Sequence, residues 1–294
     1  MKVFSLIAMV VVSLLGLGIY SSCTQNAGTA SRPAETRSPS GGEFSYDTYG
    51  KLLSRFVNEK GMMNYAALQQ NRNPLDRFLH QLGEVPYDIY ETWSSAEQLA
   101  FWINTYNALT LQVTVDHYPI KGGFLKSFLY PANSIRQIPG VWDRLRFIVL
   151  GRSLTLDEIE HEIIRQEFKE PRIHMALVCA AMGCPPLRSE PYRGVILDSQ
   201  LTDQTRSFLA DPSKFRIDHA SNTVYLSSIF DWYGQDFVDK FAPEGGFDVK
   251  GTSPAEHAVL NFISSYLSPS EADYLKRGRY KIAYLPYDWS LNEQ

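Results

Sequence analysis

The sequence predicts an α+β domain, helices packed around a small, mostly antiparallel sheet. Three observations carry the prediction. Stretches with apolar residues at helical spacing are interspersed with two β-hairpin signatures. Clean strand–helix–strand units are few, which argues against a doubly wound parallel sheet. No second linker interrupts the chain after residue 42, so the remainder reads as one domain.

The first segment, "MKVFSLIAMVVVSLLGLGIYSSC", has one lysine, a long apolar run and small residues leading to Cys23. It predicts an export signal over residues 1–22. The Ser-Ser-Cys ending resembles the lipobox of bacterial lipoproteins, which implies cleavage before Cys23 and lipid on its thiol. The expected location is then the bacterial cell envelope, lipid-anchored outside the cytoplasmic membrane. Residues 24–42 are rich in Ser, Thr, Ala, Gly and Pro and lack apolar periodicity, as a flexible tether does. The globular part is expected over 43–294.

Within it, helical spacing runs over Tyr46 to Val57 and Pro74 to Leu82, and most strongly over Ser95 to Val115. The last is apolar nearly all round, as a central buried helix should be, with Ser94 or Ser95 as its cap. "RLRFIVL" and "RSLTL", with Gly151-Arg152 between, predict a hairpin. A helix follows in which Thr155 and Glu158 stand at capping-box spacing. "RIHMALVC" is a short apolar run expected to be a buried strand. Beyond it come a helix at "DSQLTDQTRSFLA", a second hairpin turning at His219 to Ser221, helices at Ile229 to Phe241 and Pro254 to Leu267, and a last strand with an aromatic tail.

A formal charge of -4 with no clustered basic stripe removes nucleic acid as an expected partner. The chain has no internal repeat, GxGxxG, phosphate loop or HExxH, so no cofactor is expected and those enzyme classes lose their support.

The chemistry concentrates in "IHMALVCAAMGCPPLR", which carries two of the three cysteines. Strand alternation separates His174 from Cys179, whereas Cys184 lies past Gly183 and before Pro185-Pro186, at an exposed turn. In the preceding helix Glu160 falls on the apolar stripe, where a carboxylate needs a partner. The favoured reading is a relay in which Cys184 is the nucleophile, His174 the base and Glu160 the group orienting the imidazole. Cys179 and His161 stand as alternates. Two other readings compete: a Cys179–Cys184 disulfide, expected of an oxidising envelope, and a zinc site of Cys179, Cys184, His174 and His161. The wide spacing of the thiols and the lack of a second pair count against zinc, and no metal is expected.

Asn104 and Asn107 stand three apart on the apolar helix, either bridging loops or serving as donors in a pocket. Trp102, Tyr287, Asp288 and Trp289 are expected to line a cleft for a peptide-like or small ligand. "SSIFDWYGQDF" is read as packing.

The motifs "LAFWINTYNALTLQV", "LTLDEIEHEII", "PRIHMALVCAAMGCPPLR", "SSIFDWYGQDF" and "IAYLPYDWSLN", in this order, resemble the domain-of-unknown-function family 547. The resemblance spans roughly Phe44 to Asn292 and implies a fold and a site but no activity. It sets Glu160, His161, His174, Cys179, Cys184, Asn104 and Asn107 in signature segments. A more distant likeness to papain-like and transglutaminase-like thiol enzymes implies acyl transfer or amide cleavage, with acid, histidine and cysteine in an order that requires rearranged connectivity. The competing class is a non-catalytic binding module with the same cleft.

Overall fold

The computed structural model describes residues 44–123, 126–242 and 251–294. The expected signal peptide over 1–22, the lipidation site Cys23, the tether 24–42 and the expected first domain residue Glu43 lie outside the described residues. Among the described residues no helix is long and apolar enough to cross a membrane.

The helix Ser95–Asp116 is the axis of the fold. Ser94 accepts from the Glu97 amide while Glu97 reaches back to the Ser94 amide, a complete capping box that fixes where it starts. All but its first turn, Gln112 and Asp116 are buried, including Phe101, Trp102, Ile103 and Leu111. Each large apolar side chain so buried is worth roughly 1.5–3 kcal/mol relative to exposure. Amphipathic helices Asp47–Phe56 and Asn73–Glu84 pack through Leu52, Leu53, Phe78 and Leu82, with Tyr49 stacked on Phe78 at 4.4 Å.

The first hairpin forms from β1 (Phe147–Val149) and β2 (Arg152–Leu154). Its turn is Leu150-Gly151, both at positive φ, one residue earlier than the sequence suggested. Such a turn follows the right-handed twist of the strands, and Gly151 takes that backbone without strain. The Thr155–Glu158 capping box then opens a wide, π-type helix, Glu158–Phe168, which buries Ile159, Glu160, Ile163 and Ile164.

A second sheet holds β3 (Phe215–Asp218), β4 (Thr223–Ser227) and β5 (Lys281–Leu285) in that order. β3 and β4 are the expected hairpin; its connection is held by Asp218 accepting from the Ala220 and Ser221 amides. β5 joins β4 in parallel, a pairing that no local signal announces. The architecture is α+β, and the described residues cluster as one compact unit.

One expected element is absent. "RIHMALVC" is not a strand: Pro171–Met175 is a 3-10 turn and the residues after it are irregular. Glu170 caps the turn by accepting from the Arg172 amide. The backbone groups a strand partner would satisfy are taken by a side chain instead: Asn107 donates to the Ala176 carbonyl at 3.0 Å and accepts from the Val178 amide at 2.8 Å.

Candidate functional site

Because the histidine segment turns rather than extends, the alternation that set His174 and Cys179 on opposite faces does not hold. Glu160, His161, His174, Cys179 and Cys184 all line one pocket of about 480 Å³. The π-type helix supplies the acid and His161, the 3-10 turn supplies His174, and the loop past Cys179 supplies both sulfurs.

The two sulfurs are bonded to one another as a Cys179–Cys184 disulfide. A disulfide sulfur carries no thiolate, so the nucleophile expected at Cys184 is not present in this oxidised form. Cys184 is also buried rather than exposed. The Cys179 amide donates to Cys184 Sγ at 3.0 Å, and the Tyr287 hydroxyl lies 3.1 Å from Cys184 Sγ and 3.2 Å from Cys179 Sγ. The C-terminal tail clamps the loop: the Met182 amide donates to the Ser290 carbonyl and the Gly183 amide to the Asp288 carbonyl. A Cβ at Gly183 would meet the Tyr287 ring at 2.7 Å, so the close approach of that ring requires glycine.

The orienting carboxylate on His174 is Asp236, not Glu160. His174 Nε2 donates to Asp236 Oδ2 at 2.8 Å, which in the neutral ring leaves Nδ1 as the acceptor. The ring stacks on Tyr233 with centroids 4.1 Å apart. Asp236 is also gripped by Arg165, whose Nε and Nη2 donate at 2.6 and 2.7 Å. Burial pushes the Asp236 carboxyl up, but the Arg165 and His174 hydrogen bonds and charges outweigh it and hold it well below the usual range. Arg165 Nη1 donates to His161 Nδ1 at 2.8 Å, since a guanidinium cannot accept. His161 thus belongs to the Arg165–Asp236 network rather than to the sulfurs.

Glu160 is buried as the apolar stripe required, and what it meets is phenolic. Tyr106 from the central helix and Tyr233 face it, and each hydroxyl is pushed well above its ordinary pKa, first by burial and then by the Glu160 charge. Tyr287 is raised by the same two causes in the same order.

Of the expected cleft residues, Tyr287 and Trp289 line the pocket, 4.5 Å apart by ring centroids. Trp102 does not: it is buried among Tyr90 and Phe101, and its indole N–H donates to the Tyr90 hydroxyl at 2.8 Å. A residue on a helix apolar on every side has no reason to face the pocket. Asp288 turns away to cap the tail, accepting from the Ser290 amide at 2.9 Å. Asn104 and Asn107 are loop anchors rather than pocket donors; Asn104 donates to the Tyr192 carbonyl and accepts from the Tyr192 amide at 2.7 and 2.9 Å. Among the described residues no group of three or more His, Cys, Asp and Glu is arranged to hold a metal ion.

Sequence reasoning missed Asp236 as the partner of His174 and Trp232 and Tyr233 as pocket lining, all in "SSIFDWYGQDF", and Trp142 and Arg136 from the segment before the first hairpin. The acidic–aromatic mixture in the first of these was the available signal. Trp232, 47% exposed, is too open for a packing residue and closes the wall beside Tyr287 and Trp289 at 4.8 and 6.0 Å.

No curated protein and no solved structure matches the chain. Residues 90–209, which span the central helix, the first hairpin, the Glu160 helix, the histidine turn and both pocket cysteines, match the family described as "Protein of unknown function, DUF547".

Proposed function

We propose that this is an envelope protein, exported and lipid-anchored through Cys23, that binds a peptide-like or small ligand in the aromatic pocket. The observation that carries the reading is the disulfide in the pocket wall, held by Tyr287 and by the clamped tail. In this form the cysteines shape the cleft rather than react. A volume of about 480 Å³ with aromatic walls and a few converging polar groups is what a small-ligand site needs. The site needs no cofactor under this reading.

A second reading is favoured by one observation: His174, held by Asp236 at 2.8 Å, lines the same pocket as both sulfurs. After reduction, an imidazole and thiols in one pocket are the equipment of a thiol hydrolase or acyltransferase of papain-like or transglutaminase-like type, acting on amide bonds. That chemistry is confined to the reduced protein.

Alkylation of the periplasm-purified protein, followed by mass spectrometry, separates the two. The binding reading expects Cys179 and Cys184 unmodified before reductant and both modified after it. One cysteine alkylated rapidly without reductant overturns it in favour of the thiol enzyme. Cys23→Ala is expected to release the protein from the membrane fraction, and retention would overturn the lipid anchor.

A further inference from the structure

The pocket's charges and walls point to the class of ligand. Three carboxylates line it, Asp143, Asp157 and Glu160, against one guanidinium, Arg136. Asp143 lies 3.6 Å from Arg144 at an exposed position, and Asp157 lies 3.8 Å from His161 at a half-buried one. Glu160 is different. It is only 7% exposed, and among the described residues it forms no ion pair with any lysine, arginine or histidine. The nearby Arg165 feels the Glu160 charge, but its hydrogen bonds are committed to Asp236. The groups facing Glu160 are the tyrosines 106, 233 and 287, whose hydroxyls interact with a carboxylate without neutralising it.

A carboxylate in such a place is costly unless something cationic meets it. The walls around it suit a cation too. Trp232, Tyr287 and Trp289 form a cluster with centroids 4.5–6.0 Å apart. The pocket also holds one cation of its own: the Arg136 guanidinium sits over Tyr130, Trp289 and Trp142 at 4.5, 4.8 and 5.4 Å. Electron-rich ring faces accept positive charge, most strongly when desolvated.

We propose that the pocket binds an organic cation, an ammonium group on an apolar stem, with the ammonium against Glu160 and the stem against Trp232, Tyr287 and Trp289. The proposal rests on the ligand-cleft reading above and narrows it. A peptide-like ligand would meet it through a lysine-type side chain or a free amino terminus.

The test uses the full chain with its disulfide intact and three probes of one skeleton: phenethylamine, 2-phenylethanol and 3-phenylpropionate. Binding is read by tryptophan fluorescence, since three tryptophans line the pocket, and by calorimetry. The amine is expected to bind at least about tenfold more tightly than the alcohol, as a charge-assisted hydrogen bond of roughly 1.5–3 kcal/mol implies. Glu160→Gln should erase that margin and leave the alcohol unchanged, while Trp232→Ala weakens all three probes. Equal or better binding of the alcohol or the carboxylate to the wild-type protein overturns the cation proposal and leaves the cleft reading standing, and needs no variant to fold. A preference for the amine that survives Glu160→Gln overturns the role given to Glu160. Silence from all three probes up to their solubility limits overturns the cleft reading as well.

Discussion

Replacing Asn107 tests the device that decides the shape of the site. Its amide is the substitute for a strand partner, donating to the Ala176 carbonyl and accepting from the Val178 amide, with all three residues at most 4% exposed. Asn107→Ala leaves one buried N–H and one buried C=O unpaired. At about 1–3 kcal/mol for each stranded group, the loss is about 2–6 kcal/mol. That is a large share of the roughly 5–15 kcal/mol that holds a domain folded. For a domain of this size it corresponds to a fall in Tm of roughly 4–24 °C. Urea unfolding of the wild-type protein, Asn107→Ala and Asn107→Leu measures it. The leucine variant fills the space but makes neither bond, so it should be no more stable than the alanine variant. The Val178 amide should also lose hydrogen-exchange protection in both. Losses below about 0.5 kcal/mol, the range of ordinary surface changes, or full recovery by leucine, would refute the argument that these two bonds hold the cysteine segment.

Asp236 should govern acid stability. Its folded pKa lies below the unfolded value of about 3.9, so its contribution is complete above that value and drains away as pH falls through the folded pKa. Asp236→Asn should lower stability at neutral pH and flatten its decline under acid, and an unchanged slope in denaturation curves below about pH 5 would count against the network. Gly183→Ala should cost about 1–3 kcal/mol by overpacking against Tyr287, read as a shifted urea midpoint. A neutral result would mean that the ring moves away without penalty. Reduction of the disulfide should lower the thermal midpoint by freeing a five-residue closure, and an identical Tm with and without reductant would show that the bond contributes nothing to stability.

Much of the fold was legible because its determinants are local. The capping box at Thr155–Glu158 forms at the position its spacing marks, Ser94, one of the two caps the sequence offered, starts the central helix, and the two hairpins pair across the expected turns to within a residue. The burial of Glu160 was readable in the same way, from its place on an apolar stripe. The strand at "RIHMALVC" was misread because a short apolar run says only that it is buried, not how its backbone is satisfied. The satisfying group, Asn107, sits on another helix, and that helix also seemed to offer Trp102 to the cleft when it in fact buries that ring. Asp236 was passed over because nothing near it in sequence is its partner: Arg165 lies 71 residues away and His174 lies 62.

By itself the sequence determined the long helices, the hairpins, the segment where chemistry gathers and the acid that had to be buried, since each follows from neighbours within a turn or two of the chain. The tertiary structure alone decided that β5 runs parallel to β4, that Cys179 meets Cys184, that Asp236 rather than Glu160 holds His174, and that Glu160 faces three phenols in an aromatic pocket. Those outcomes depend on groups brought together by packing of the whole chain, and no periodicity or spacing along it encodes which distant partner arrives.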